Sequence, residues 1–222
     1  MQKFLFFNLI VVLTVSCAPV YTPNIINTPL LSSKGELQAL IGTGTSGVDP
    51  QCAYAVTNHF GVMLNASFAN RNDSLHYYKH NFGETGLGYT LQIQDAACFE
   101  VFAGGGYGTV DALYSRNGYN IKSKGELVKF FLQPTISAKG KIVEGAFTQR
   151  LVFIKMNNGE GDFNTNKLYS FIEPTITVKL GWKYVKIFFQ MGFSIPLNTY
   201  SVTNQPFMFN VGWIGKIPII RK

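Results

Sequence analysis

The sequence predicts an all-β protein: an antiparallel, up-and-down transmembrane β-barrel of about ten strands, with eight possible, behind a cleaved signal peptide and a short tether. Three observations carry this expectation. Apolar residues alternate with polar ones over long stretches, which is strand and not helix periodicity. Of the 222 residues, 46% are hydrophobic and only 14% charged, against about 25% charged in ordinary soluble domains. The connections between the alternating stretches are short and long by turns. The mean hydropathy of +0.11 excludes a disordered chain, since disorder needs low hydrophobicity and high net charge.

Residues 1–16 read as a signal peptide, because Lys3 precedes the apolar run Phe4 to Val15 and small residues follow. That run is too short for the roughly 20 residues a spanning helix needs. Leu13-Thr14-Val15-Ser16-Cys17 resembles a bacterial lipoprotein cleavage box, although Thr14 departs from the Leu usually found three places before the cysteine. Cys17 is then the acylated N-terminus. Residues 17–33, rich in Pro, Asn, Thr and Ser, read as a lipid-anchored tether, with acyl methylenes holding it to the bilayer. Residues 34–222 form the barrel domain.

Ten strands follow in order, at about 35–43, 50–57, 60–70, 80–93, 97–110, 125–139, 141–155, 168–182, 184–197 and 206–217. Most exceed the usual five or six residues of soluble strands and suit the 9–11 residues of a tilted membrane strand. In the ninth, Val185, Ile187, Phe189, Met191, Phe193 and Ile195 share one face; Lys186, Phe188, Gln190, Gly192 and Ser194 share the other. In the sixth, Val128, Phe130, Leu132, Ile136 and Ala138 oppose Lys129, Phe131, Gln133, Thr135, Ser137 and Lys139. Longer loops are expected at 71–79, 111–124, 156–167 and 198–205, and short turns near Asp95, Gly140 and Lys183. Outer-membrane barrels have short periplasmic turns and longer external loops. An even strand count puts both termini on the periplasmic side, with the anchor at Cys17.

The same alternation fits a soluble calyx with its apolar face inward. The polar face decides between them, because it offers Gly86, Gly88, Gly104, Gly106, Gly181 and Gly192 among Thr, Ser and Gln. Small residues fit the opposing walls of a narrow barrel, so the apolar face is assigned to lipid. Tyr54, Tyr89, Tyr107, Tyr169, Trp182, Tyr184 and Trp213 then suit interfacial girdles. The inward charges are Glu36, Glu84, Glu100, Glu144 and Glu173 with Lys129, Lys139, Arg150, Lys179 and Lys186. Buried charges are expensive alone, so they are expected to pair across the lumen and close it.

Phe131-Leu132-Gln133-Pro134-Thr135-Ile136-Ser137 echoes Phe171-Ile172-Glu173-Pro174-Thr175-Ile176-Thr177, which suggests a duplicated hairpin. Both prolines are expected at bulges, since proline cannot donate to a ladder. Cys52 and Cys98 lie near opposite strand ends and are expected unpaired. Neither their spacing nor the three histidines suggests a metal site, and no cofactor is expected. Asp73, Ser74 and His76 share one loop, and Glu160 and Asp162 another; neither pattern amounts to a catalytic constellation. Asp73-Ser74-Leu75 also looks like a bacterial O-glycosylation acceptor.

Cys17-Ala18-Pro19-Val20-Tyr21, Asn27-Thr28-Pro29-Leu30, Lys34-Gly35-Glu36, Ala53-Tyr54-Ala55-Val56-Thr57 and Gly61-Val62-Met63 resemble a group of largely uncharacterised bacterial lipoproteins with an outer-membrane-barrel pattern. The mature chain looks like the small eight-to-ten-stranded outer-membrane barrels, a superfamily of anchors, adhesins and a few enzymes. No catalytic residue of that superfamily maps onto this chain, and the terminal Ile219-Ile220-Arg221-Lys222 departs from its aromatic ending. The expectation is a monomeric, non-enzymatic barrel with a structural or surface-interaction role through its longer loops. Its expected partner is outer-membrane lipid, with a surface ligand open. A narrow transport pore and a lipocalin-like periplasmic lipoprotein binding an apolar ligand are the alternatives. The net charge of +7 is spread without a compact basic stripe, so no nucleic-acid partner is expected.

Overall fold

The computed structural model describes residues 19, 21–72, 76–94, 96–116, 119–161, 167–198 and 204–217. Its strands are β1 (Leu37–Gly44), β2 (Gly47–Ala55), β3 (Phe60–Asn72), β4 (Tyr77–Gln92), β5 (Ala97–Arg116), β6 (Tyr119–Lys139), β7 (Val143–Glu160), β8 (Leu168–Gly181), β9 (Val185–Phe193), β10 (Ile195–Pro196) and β11 (Phe207–Ile217). Neighbours in sequence pair antiparallel from β1 to β9, and β11 pairs with both β9 and β1. The sheet therefore closes on itself. Residues of β10 continue β9 against β8, so the eleven segments make ten staves. Closure leaves no open edge.

Alternation places the residues as their polarity requires. On β9 the burial alternates residue by residue, with Lys186, Phe188 and Gln190 buried and Val185, Phe189, Met191 and Phe193 turned out. Leu87, Leu64 and Phe130 stand on the outer face with 70%, 61% and 58% of their surface exposed, which water would penalise and lipid would not. Tyr54, Tyr89, Trp182, Tyr184 and Trp213 are exposed toward the end carrying the short turns, and Tyr107 is exposed on β5. Tyr169 departs from the expected girdle. It is buried facing the lumen, because its neighbours Leu168 and Ser170 take the outward positions in the alternation.

The interior is more apolar than the expected polar filling. Phe82, Phe102, Phe131, Phe171 and Phe188 all point inward, and glycines on facing staves make room for them. A Cβ at Gly86 would sit 2.8 Å from Met63 and 3.1 Å from the Phe131 ring. The two echoed segments flank one stave: Phe131 on β6 and Phe171 on β8 both pair with Val152 of β7.

The prolines are not at bulges. Around Pro134 the β6–β7 register is the same on both sides, Leu132 opposite Leu151 and Thr135 opposite Thr148. Around Pro174 the β8 partners run from Ile172 opposite Ile195 to Thr175 opposite Gly192, again without a shift. Each proline interrupts one ladder, where its missing N–H would have donated, and leaves the register intact. The second gap is what separates β9 from β10.

Two of the four expected long loops are largely strand. Residues 111–124 are a hairpin of β5 and β6 with only 117 and 118 between them, and β4 begins at Tyr77 inside the expected 71–79 loop. The connections still sort by end. Those after β1, β3, β5, β7 and β10 lie at the hairpin end; those after β2, β4, β6 and β8 form the turn end. The β1–β2 connection is a two-residue turn closed by Gly47, whose φ of +111° suits glycine alone.

The largest departure from expectation is the segment before β1. Residues 21–31, expected as part of a tether, run inside the barrel and are buried throughout. Tyr21 bridges Asn204 in the β10–β11 connection at the hairpin end. Glu36 and Lys139, at the turn end, bond Ser32 and Leu31. The chain thus descends the lumen from hairpin end to turn end before entering β1.

Candidate functional site: the filled lumen

The wall holds this segment through its main chain. The Ile25 N–H donates to Asp49 at 2.6 Å and its carbonyl accepts from Gln51 at 2.7 Å. Gln190 does both jobs for Ile26, accepting its N–H at 2.9 Å and donating to its carbonyl at 2.8 Å. Gln133 and Lys179 donate to the Asn27 and Thr28 carbonyls. Glu100 accepts the N–H groups of Leu30 and Leu31 at 3.1 and 3.0 Å. Leu30 has φ +54°, a costly region for a branched residue, and two adjacent N–H groups turned onto one carboxylate are what holds it there.

An extended segment in a closed lumen cannot pair with neighbours in a sheet. Its backbone groups must find side chains or remain orphaned, and each buried orphan costs about 1–3 kcal/mol. Its apolar side chains take niches. Ile25 reaches the spaces beside Gly42 and Phe188, and Leu31 the space left by Gly61. Tyr21 packs on Phe171 with ring centroids 4.7 Å apart and donates its hydroxyl to Glu173 at 2.9 Å.

At mid-height Glu84 is the electrostatic centre. It pairs with Lys129 at 2.8 Å and Arg150 at 2.7 Å, all three buried. Its other oxygen accepts from Asn24 at 3.1 Å and Asn65 at 3.0 Å, and Lys129 also donates to Asn24 at 2.6 Å. Lys129 lies 4.1 Å over the Phe82 ring and Arg150 4.2 Å over Phe131. Cation–π contact of this kind gains strength when desolvated. Arg150 and Glu173 are cross-strand neighbours, yet Arg150 Nε and Nη1 and Glu173 Oε2 are buried without hydrogen-bond partners among the described residues.

At the turn end Glu144 pairs with Lys186 at 3.2 Å and Lys216 at 3.0 Å, and Lys216 lies 4.0 Å from Glu36. The ten charges expected inside are thus sorted into two kinds. Glu84, Lys129, Arg150, Glu144, Lys186 and Glu36 belong to ion pairs. Glu100, Glu173, Lys139 and Lys179 chiefly clasp residues 21–32.

The sequence reading missed Asp49, which fell one residue outside the expected second strand, and Lys216 on β11. It also missed a buried Ser67–His80 pair, with Ser67 Oγ 2.8 Å from His80 Nε2 and Tyr78 Oη 3.0 Å from Nδ1. The cavity beside that pair measures about 20 Å³ and is walled by Tyr21 and Thr22, which is room for one water. Asp73, Ser74 and Asp162 lie outside the described residues, as does Cys17. Among the described residues, Cys52 and Cys98 are free thiols. Among the described residues, no three of His, Cys, Asp and Glu converge as metal ligands.

No protein-family model and no curated protein matches the chain. Among solved structures it is similar to the translocator domain of the autotransporter NalP from Neisseria meningitidis, at 11% identity and TM-score 0.46, covering 82% of this chain and 85% of that one. It is also similar to the CymD monoaromatic hydrocarbon channel, at 9% identity and TM-score 0.34, covering 84% and 89%. A third likeness is to a bacterial polysaccharide outer membrane secretin, at 8% identity and TM-score 0.26, covering 86% and 100%.

Proposed function

We propose that the chain is a non-enzymatic outer-membrane barrel lipoprotein, monomeric, closed by its own N-terminal segment, with a structural or surface-interaction role through the β3–β4, β5–β6 and β7–β8 hairpins. The burial of residues 21–31 inside the lumen carries this reading. A conducting pore needs a continuous wet path, and here the axis is occupied by protein whose backbone is bonded on several sides. A lipocalin-like calyx needs an empty apolar interior and a water-facing exterior. The exposed Leu87, Leu64 and Phe130 favour lipid outside instead.

The path of the segment also bears on the anchor. Cys17 stands four positions before Tyr21, and four extended residues reach about 14 Å at most. Tyr21 is tied to the hairpin end. An acyl chain on Cys17 is therefore proposed in the leaflet around the hairpins, not in the periplasmic leaflet expected from strand parity.

Conductance tests the closed state. Purified full-length protein in a planar bilayer should give no stepwise current, and Lys129→Ala should leave it silent because the segment still fills the axis. Steady single-channel steps from the unaltered protein, changed by Lys129→Ala, would establish the pore reading in its place.

A further inference from the structure

The turn end of the barrel opens into a cavity of about 720 Å³ lined by Lys34, Lys141, Lys183, Lys186 and Lys216. Only Glu36 and Glu144 oppose them among its lining residues, so five cations against two carboxylates leave three positive charges in excess. Both acids are already engaged by Lys216, and Glu144 by Lys186 as well. Lys34, Lys141 and Lys183 are exposed, on three different connections: the end of the threaded segment, the β6–β7 turn and the β8–β9 turn.

Two buried groups form the floor of this mouth. Lys186, with 3% of its surface exposed, lines the cavity and is ion-paired with Glu144 at 3.2 Å. Glu144 Oε2 is buried without a hydrogen-bond partner among the described residues. The volume lies in the range of small-molecule sites, about 300–1,000 Å³. A cleft lined by one sign of charge with low-dielectric walls concentrates the opposite ion.

We infer that the turn-end mouth is a binding site for a small molecule bearing several phosphate groups. The phosphate oxygens take Lys34, Lys141 and Lys183, the three exposed ammonium groups around the mouth. Ammonium groups bind phosphate as point charges without demanding one orientation, which suits three exposed lysines around one cavity. Because Ser32, Ser33 and Lys34 form part of the lining, an occupant would also pin the lower end of the threaded segment. The inference needs only the closed barrel and is independent of which side of a membrane the mouth faces.

Titration of full-length protein in zwitterionic micelles with inorganic tripolyphosphate tests the phosphate chemistry. The expected result is one saturable site whose affinity falls at least tenfold when salt rises from about 20 to about 200 mM. Lys141→Gln with Lys183→Gln should weaken it about tenfold. Both are exposed turn residues, and an unchanged heat-dependent gel shift would show that the variant is folded. Lys79→Gln, on β4 toward the hairpin end, should change nothing. No saturable binding, or equal losses in the turn variant and in Lys79→Gln, would overturn the site. Vesicles containing phosphatidylglycerol provide the second arm. Binding to them that tripolyphosphate displaces marks a headgroup as the source. Binding to vesicles alone, with none to tripolyphosphate, would reduce the mouth to a membrane-contacting rim and overturn the proposal.

Discussion

Replacing residues 22–31 with a Gly/Ser stretch of equal length is expected to convert a silent barrel into an open channel. The native segment stays in the lumen because Ile25, Ile26, Leu30 and Leu31 are fully or nearly fully buried, and burying such a side chain stabilises by about 1.5–3 kcal/mol. Its backbone adds bonds to Asp49, Gln51, Gln190, Gln133, Lys179 and Glu100. A Gly/Ser chain behaves as a flexible coil and offers none of the apolar anchors, so ordering entropy of about 1–2 kcal/mol per residue drives it out of the axis. The ten staves keep their ladders, because no ladder depends on residues 22–31. The variant should therefore retain its heat-dependent gel shift while showing single-channel steps in a planar bilayer. A folded variant that stays silent would mean that wall side chains such as Phe131 and Phe188 close the lumen without the segment.

The second large effect is expected at Glu84. Glu84→Leu removes the carboxylate shared by Lys129 and Arg150 and leaves two cations with almost no surface exposed. Stranding one partner of a buried pair costs about 3–5 kcal/mol, whereas replacing the whole cluster with apolar residues is often close to neutral. The single variant should lower the urea midpoint accordingly. Glu84→Leu combined with Lys129→Met and Arg150→Met should recover most of the loss, since Phe82 and Phe131 already offer those stems an apolar surface. A single variant within about 1 kcal/mol of the parent would show that water reaches this level of the lumen.

The barrel itself was legible because period two is a local property. Each of Val185 to Phe193 declares its face without reference to any other strand, and the closed sheet follows the declared faces. Strand ends were less legible. Residues 111–124 carry Ser, Asn, Lys and Gly, which read as loop, yet the hairpin extends β5 and β6 through them. Cross-strand pairing such as Tyr114 with Ile121 sustains a ladder that local propensity does not announce.

The lumen was half legible. The inward charges could be assigned from alternation, but the partners of Glu100, Lys139 and Lys179 lie more than sixty residues away on a segment read as a tether. One signal in that segment ran against the reading: Ile25-Ile26 and Leu30-Leu31 are two aliphatic pairs that a solvated linker has no use for. Glycine was recognised as making space but not for what. Gly42 and Gly61 leave room for Ile25 and Leu31 of the threaded chain, and no pattern within one strand could disclose that.

The most direct test of the threaded lumen is an oxidative cross-link between positions 27 and 65, whose native side chains are 2.7 Å apart. Asn27→Cys and Asn65→Cys would be introduced into full-length protein carrying Cys52→Ser and Cys98→Ser, and the membrane fraction oxidised and analysed by mass spectrometry. The bridge between 27 and 65 should form in high yield, and neither thiol should react with a bulky water-soluble maleimide before unfolding. No bridge, with position 27 labelled freely in the folded protein, would place the segment outside the barrel and contradict the closed state.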